Sequence, residues 1–395
     1  MSDRDRAADV RVVIVGGGGT GSALLHDLTQ RGFACRLFER GELTSGTTGR
    51  HHGQLHSGAR YAVGDVEIAR ECAQEVAILR RIAADSIEMN YGLFLALSDD
   101  DEAYAETFVA ACQAAGIAVR RVAVDEALRY EPRINPRARL AYLVPDGTID
   151  AYRLPLQFLA SAAAEGALAH PFCEVTGIRT KQGMVTGVSV FDYTKRREKS
   201  WPADIVINAA GPWAGRVAQT AGVDLPVTPA AGTMVAVRRR LCNMVVSHLH
   251  PPGDGDIIVP QRGLSIIGST QWETDDPDGV VTPEGDIEWL RVRADELLPG
   301  FSDEPFHAAW TAVRPLAGRS AGGGRALSRG FTVVPPGRCG PGGFYSVVGG
   351  KATTLRAMAQ AVADRVCDDL DLAIAGRTHA TPLRPHRDYF RRNIA

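Results

Sequence analysis

The chain has 395 residues, 45% hydrophobic and 23% charged, with a net charge of −2 at pH 7. That length exceeds one ordinary core, so two domains are expected, and the near-neutral balance points away from nucleic acid as a partner. No apolar run is long enough to cross a bilayer, and the opening MSDRDRAAD lacks the apolar heart of a signal peptide, so a cytoplasmic protein is expected.

Residues 10–15, VRVVIV, read as a buried parallel strand. Gly16, Gly18 and Gly21 follow in G-x-G-x-x-G spacing, residues 22–30 carry apolar positions at helical spacing, and Gly32 ends that helix. A second short strand over 34–38 stops on Glu39, 23 residues after the first glycine. Gly16 allows a tight turn, Gly18 lets backbone approach a pyrophosphate, and Gly21 lets helix and strand pack closely. The helix N-terminus offers unpaired N–H groups to the phosphates, and the acid can accept ribose hydroxyls. Strand, fingerprint, helix and acid together specify a dinucleotide site, with NAD and FAD both open at this point.

Residues 41–61 form a long glycine-rich loop dense in His and Arg, suited to wrapping a cofactor with backbone and hydroxyl donors. One long helix is expected over 65–87, a strand over 92–97, and a helix over 99–115 that ends at Gly116. A helical turn over 125–130, a strand over 140–144, and a turn at 145–150 come next, with Asp150 capping a helix that runs to Glu165. Strands are expected over 174–190 and 201–207, the latter running into small residues at Gly211. Antiparallel strands over 226–237 and 256–268 precede a helix over 282–298 with Trp289 and Leu290 on its apolar side. A strand over 310–316 carries Arg314, and 344–366 repeats the strand–glycine–helix pattern with Lys351 at the helix start. The basic end, 384–392, reads as a loose tail. Seven dispersed cysteines, none in C-x-x-C spacing, suit reduced thiols and argue against a zinc or iron–sulfur site. The two strand–glycine units are expected to share one domain that the chain leaves and re-enters. The fold class is therefore α/β with an α+β second domain: a Rossmann-like cofactor domain (1–80, 140–215 and 325–372), an antiparallel-sheet substrate domain (81–139 and 216–324), and a tail (373–395).

The segments SGTTGRHHGQLHSGARYAV, VPDGTIDAYRL, VINAAGPWAG, DIIVP with IIGST, VRPL and VVGGK, in this order, resemble the FAD-dependent sn-glycerol-3-phosphate dehydrogenases. These belong to the D-amino-acid-oxidase-like flavoproteins, and the likeness is greatest to the catalytic subunit of the anaerobic type. The resemblance implies non-covalent FAD, held at Gly16, Gly18, Gly21, Glu39, Arg40 and Ser45, then Thr47, Thr48, Gly49, His52 and Gly53. It adds Val175, Ala210, Gly211 and Trp213, and finally Gly350, Lys351, Ala352 and Thr353. It further implies oxidation of glycerol 3-phosphate to dihydroxyacetone phosphate. Arg60, Tyr61, His248 and Arg314 would contact the substrate, and His56, Arg314 and Lys351 would act in catalysis, with His248 the second choice for handling the proton.

The chain departs from the anaerobic pattern at His51, Gln54, 248–251, Thr311–Ala312 and 352–355, so a 2-hydroxy acid, an amino acid or a phosphonate is the alternative substrate. A non-catalytic FAD-binding module is the other class considered, and the cationic pocket argues against it. The anaerobic type's cysteine-rich extension is not matched, so a quinone, a partner protein or oxygen is expected to accept the electrons. A peripheral membrane contact through the basic end stays open.

Overall fold

The computed structural model describes residues 2–319, 328–337 and 340–391; the expected boundary at 325 and Cys339 lie outside these. Arg11–Val15 is the expected buried strand, and it pairs in parallel with Ala34–Phe38 on one side and Ile205–Asn208 on the other. The six-stranded sheet extends to Leu168–His170 beyond the former. Beyond the latter it extends to Phe344–Gly349 and then to an antiparallel edge strand, Phe331–Val334. Chain connections leave Arg11–Val15 toward both sides, a switch point whose crevice opens at the carboxyl ends of the strands.

Helices Gly19–Arg31, Arg153–Ala164 and Leu355–Asp369 bury one face of this sheet. The other face packs on a three-stranded antiparallel sheet, Cys173–Lys181, Met184–Asp192 and Arg197–Pro202, and on the short helix Ala214–Gln219. Around Val227–Val237 and Gly92–Ala96 lies a nine-stranded, mostly antiparallel sheet. Its longest ladder joins Val227–Val237 to Phe306–Ala317 and sets Ala230 opposite Arg314. Glu284–Asp295 covers one side of it and Asp99–Ala114 the other. The parallel Rossmann-like sheet and the second, mixed sheet are the expected fold class.

Several elements differ from expectation. The helix expected over 65–87 is Val66–Ile82, because Ala83 leaves helical dihedrals and Ile87–Glu88 becomes a strand. Its partner is Gly147–Ile149, expected as a turn, which pairs with Ile87–Glu88 on one edge and Gln54–Leu55 on the other. Leu140–Val144, assigned by sequence to the cofactor unit, is paired instead between Gly92–Ala96 and Arg120–Val122 in the nine-stranded sheet. On Glu284–Asp295 the buried pair is Leu290 and Ala294, one turn apart, which leaves Trp289 45% exposed. The end of the chain is anchored as far as Arg391. Leu383 donates its N–H to the Ile82 carbonyl, Arg384 donates to Ser161 Oγ, and Asp388–Arg391 packs on Arg153–Ala164.

A buried ion pair locks the helical layer, and a buried histidine makes its stability depend on pH. Arg356 forks onto both oxygens of Glu75 with only 6% and 5% of the two side chains exposed, tying Leu355–Asp369 to Val66–Ile82. Removing one partner strands a buried charge. Arg356→Met should therefore lose about 3–5 kcal/mol in chemical denaturation, and Arg356→Met with Glu75→Leu should recover most of it. His26, buried on Gly19–Arg31 against Phe158, has no hydrogen-bond partner at either ring nitrogen among the described residues. Burial pushes its pKa from 6.5 down to about 4. The folded chain then binds fewer protons than the unfolded one below pH 6.5, so this contribution is present above 6.5 and is lost as pH falls toward 4. His26→Leu should flatten the fall in melting temperature between pH 7 and pH 5.

Candidate active site

A cavity of about 1150 Å³ opens where the carboxyl ends of Arg11–Val15, Ala34–Phe38 and Ile205–Asn208 meet the nine-stranded sheet. At one end is the glycine turn. Gly16 has φ +108, and a Cβ there would sit 2.6 Å from the Ala209 carbonyl oxygen. Gly21 lies behind the wall, where any Cβ would strike the Gly16 carbonyl, so its role is the close strand–helix contact. Gly18 caps the helix with no side-chain bond, and no acid stands in its first turn, which leaves the positive end facing the cavity. Thr48 Oγ1 accepts from Gly19 N at 3.0 Å. Glu39 is held by Gly17 N at 2.7 Å and Gly41 N at 2.8 Å, one on each oxygen.

Gly16, Gly18, Glu39, Arg40, Ser45, Thr47 and Thr48 share this wall with Val175, Ala210, Gly211 and Trp213. Arg40 stacks over the Trp213 ring at 4.3 Å, and Asp278 joins Arg40, Arg216 and Trp213 Nε1. Gly350, Lys351 and Ala352 line the far side, after strand Phe344–Gly349. A 3₁₀ turn, Ala352–Thr354, separates Lys351 from helix Leu355–Asp369, so the regular helix starts four residues later than expected. Gly49, Gly53 and Thr353 support the wall from behind. A Cβ at Gly49 would meet the Thr44 carbonyl at 2.5 Å, Gly53 donates to His51 Nδ1, and Thr353 Oγ1 accepts from His56 N at 3.1 Å.

His51, His52, His56, Arg60, Tyr61, Arg314 and Arg329 gather at the other end with Lys351. Burial pushes His51 down to about 4, and burial with neighbouring positive charge pushes His52 to about 3 and holds His56 well below 6.5. Gly53 N donates to His51 Nδ1 at 2.9 Å and Gln54 N to His52 Nδ1 at 3.2 Å. Both rings therefore carry their single proton on Nε2. Among the described residues these histidines form no metal-ligating group.

Arg314 donates to Ser269 Oγ and to the Ala231 carbonyl. Lys351 Nζ donates to the Arg329 carbonyl at 2.8 Å and lies 4.7 Å over the Tyr61 ring, and burial lowers its pKa. The histidine loop is fastened to the strand that bears Arg314, because Thr47 Oγ1 donates to the Val313 carbonyl and Trp310 Nε1 to the Arg50 carbonyl. Asp146 secures the other end of the loop by accepting from Ser57 N at 2.7 Å and Gln54 Nε2 at 2.9 Å.

His248 does not reach the wall: it is buried, with Nε2 2.9 Å from Asp101 Oδ2, and its ring packs edge-on to His250. The expectation that it contacts substrate fails because its strand turns that side chain toward Asp99–Ala114. Sequence reasoning missed Arg329, Ser269 and Gly232. A Cβ at Gly232 would lie 2.6 Å from Arg314 Nη1, so that glycine makes room for the guanidinium. Ser269 stood in the quoted segment IIGST without being given a role, and Arg329 and Gly232 stood in no quoted segment.

A profile described as "FAD dependent oxidoreductase" (DAO) matches residues 11–365. The chain belongs to the DAO family of FAD-dependent oxidoreductases. It is 37% identical to a subunit of the anaerobic glycerol-3-phosphate dehydrogenase of Haemophilus influenzae, over 94% of this chain and 67% of that protein. To the corresponding protein of Escherichia coli it is 37% identical over 95% and 72%. Its fold is similar to that of the L-α-glycerophosphate oxidase of Mycoplasma pneumoniae with FAD bound (TM-score 0.78, 18% identity, 95% and 98% of the two chains).

The residues of this oxidoreductase fit FAD. The helix end with its glycine cap, the glycine cradle that side chains would fill and the doubly anchored Glu39 suit the pyrophosphate and ribose, and the cavity runs on from there to the cationic end. Gly18→Val, at a glycine of ordinary φ whose Cβ would meet only Thr48, at 3.1 Å, should give a folded protein with FAD content below about a tenth of wild type, read from the 450 nm band of the purified protein.

Proposed function

We propose that this oxidoreductase converts sn-glycerol 3-phosphate, or a close phosphorylated polyol, to the ketone. One observation carries the reading: Arg60, Arg314, Arg329 and Lys351 line the end of the same cavity whose other end is the glycine cradle. The 37% identity to proteins named for this substrate, over nearly the whole chain, supports it. Bound FAD supplies the hydride acceptor. In this reading the six-stranded unit holds the cofactor, and Arg314 brings the nine-stranded sheet to the substrate.

The chain's own residues have three tasks. The arginines bind the phosphate with planar N–H forks, and Lys351 adds a point charge. His51 and His52, neutral with Nε2–H, donate hydrogen bonds without adding charge. His56 takes the hydroxyl proton as the carbon loses its hydride, so the alcohol leaves as a ketone with one proton and one hydride removed. Burial, with the positive charge of Arg60 and Lys351 beside it, holds the pKa of His56 well below 6.5, so the ring is unprotonated. A bound phosphate offsets that positive field and raises its basicity toward the working range when substrate is present. Turnover also needs an electron acceptor, and the relatives' designation as subunits supports a partner protein in that role.

Anaerobic addition of sn-glycerol 3-phosphate should bleach the flavin band rapidly and saturably. Arg314→Ala should lower kcat/KM by about 10²–10³ while dithionite still reduces the flavin, and Arg314→Lys should recover part of the loss. No bleaching by glycerol 3-phosphate, with bleaching by a 2-hydroxy acid or amino acid, would overturn the assignment.

A further inference from the structure

Arg60 is tethered by one nitrogen. Its Nη2 donates to Asp256 Oδ2 at 2.9 Å and to the Gly253 carbonyl at 2.8 Å. Both Nη2 protons are thereby used, whereas Nε and Nη1 make no hydrogen bond among the described residues and the side chain lines the cavity. Three of the five guanidinium N–H groups are left for a ligand. Asp256 itself is 1% exposed, and its Oδ2 also accepts from Gly253 N at 2.5 Å, which locks the carboxylate to its own loop.

A buried carboxylate on an anion-binding arginine would cancel the charge the arginine is there to supply. His250 prevents this. Its Nδ1 lies 2.6 Å from the Pro251 carbonyl oxygen, and its Nε2 lies 3.2 Å from Asp256 Oδ1 in a charge contact outside hydrogen-bond geometry. Burial works against charge on this ring, but the Asp256 carboxylate outweighs it and raises the pKa of His250, and with an acceptor beside each nitrogen the doubly protonated ring is the favoured one. With His250 protonated, Arg60, Asp256 and His250 together carry one net positive charge. Behind them His248 packs edge-on to His250 with ring centroids 4.2 Å apart. Asp101 bonds its Nε2, and Arg293 Nη2 lies 3.5 Å from its Nδ1, so His248 is the neutral backstop that fixes the His250 ring.

We propose that Asp256 is the positioning residue of the anion site: it aims the free N–H groups of Arg60 at the substrate's phosphate, while His250 preserves the positive charge. The proposal rests on the reading that an anion binds at this end of the cavity. Asp256 is not among the residues that line the cavity, so it acts through Arg60.

The test uses FAD-loaded Asp256→Ala, Asp256→Asn and His250→Gln enzyme, with two readouts. One is steady-state oxidation of glycerol 3-phosphate with an artificial acceptor, beside unphosphorylated glycerol as the control substrate. The other is the flavin difference spectrum titrated with inorganic phosphate alone. Asp256→Ala should raise KM for glycerol 3-phosphate and weaken phosphate binding by about tenfold, with kcat within about threefold and glycerol turnover unchanged. Asp256→Asn, which still accepts from Arg60 and Gly253, should restore KM to within about threefold of wild type, and His250→Gln should weaken phosphate binding.

Unchanged phosphate binding in Asp256→Ala and His250→Gln would overturn the proposal, as would equal losses on glycerol and glycerol 3-phosphate. Failure of Asp256→Asn to rescue would also overturn it. If Asp256→Ala does not fold, Asp256→Asn and His250→Gln decide on the same phosphate titration. A wild-type enzyme that binds phosphate but does not oxidise glycerol 3-phosphate would refute the proposed substrate. The positioning role would then still stand or fall on the phosphate titrations.

Discussion

Everything at the site depends on a steric constraint at the first turn. The chain leaves strand Arg11–Val15 and enters helix Gly19–Arg31 within a few residues, in a space where Gly16 faces the Ala209 carbonyl and Gly21 faces the Gly16 carbonyl. Side chains at either point would drive the helix off the sheet, and with it the N-terminal N–H groups that face the cavity. The neighbouring strands, Ala34–Phe38 and Ile205–Asn208, end at the same level, so Glu39 and Ala209–Gly211 arrive at the rim as consequences of parallel register. The cofactor end of the cavity is thus built from backbone and register more than from side-chain chemistry.

The other end is built from charge. Several cations and three histidines crowd one half-buried space, and the histidines respond by staying neutral. Neutral imidazoles can donate and accept without adding repulsion, which lets the cations remain dense enough to hold an anion. The arginines are not loose. Arg314 is held by Ser269 and the Ala231 carbonyl beside the space left by Gly232, and Arg60 is held from behind by Asp256. Such tethering removes side-chain freedom before a ligand arrives, which is where binding energy is otherwise lost.

The two ends are joined mechanically as well as spatially. Residues 41–61 are fastened to the nine-stranded sheet through Thr47 and Trp310, and to Asp146 through Ser57 and Gln54, so the loop that lines the cavity is fixed on both flanks. Gly147–Ile149 reinforces this as a central strand between Gln54–Leu55 and Ile87–Glu88. Those three short strands are only two or three residues each, too short to announce themselves by alternation. Their stability comes from pairing with one another, and that is why the sequence suggested a turn and an overlong helix in their place.

Local pattern was sufficient wherever the physics is local. The β-branched run, the glycine spacing, Gly32 as a helix stop, the acid after the second strand and the second strand–glycine unit at 344–350 all follow from steric and hydrogen-bonding rules that act over a few residues, and they fixed the fold class and the cofactor end. Family resemblance carried by the ordered motifs added Arg60, Arg314 and Lys351, which do converge on one cavity. Tertiary structure alone decided which polar residue stands at the wall and which stands behind it. His248 ends its strand and His250 follows two residues later, yet their separate partners, Asp101 from one helix and Asp256, itself tied to Arg60, settle their protons and their roles. A side chain's charge state is set by what packs around it in three dimensions, and that surrounding is assembled from segments far apart in the chain.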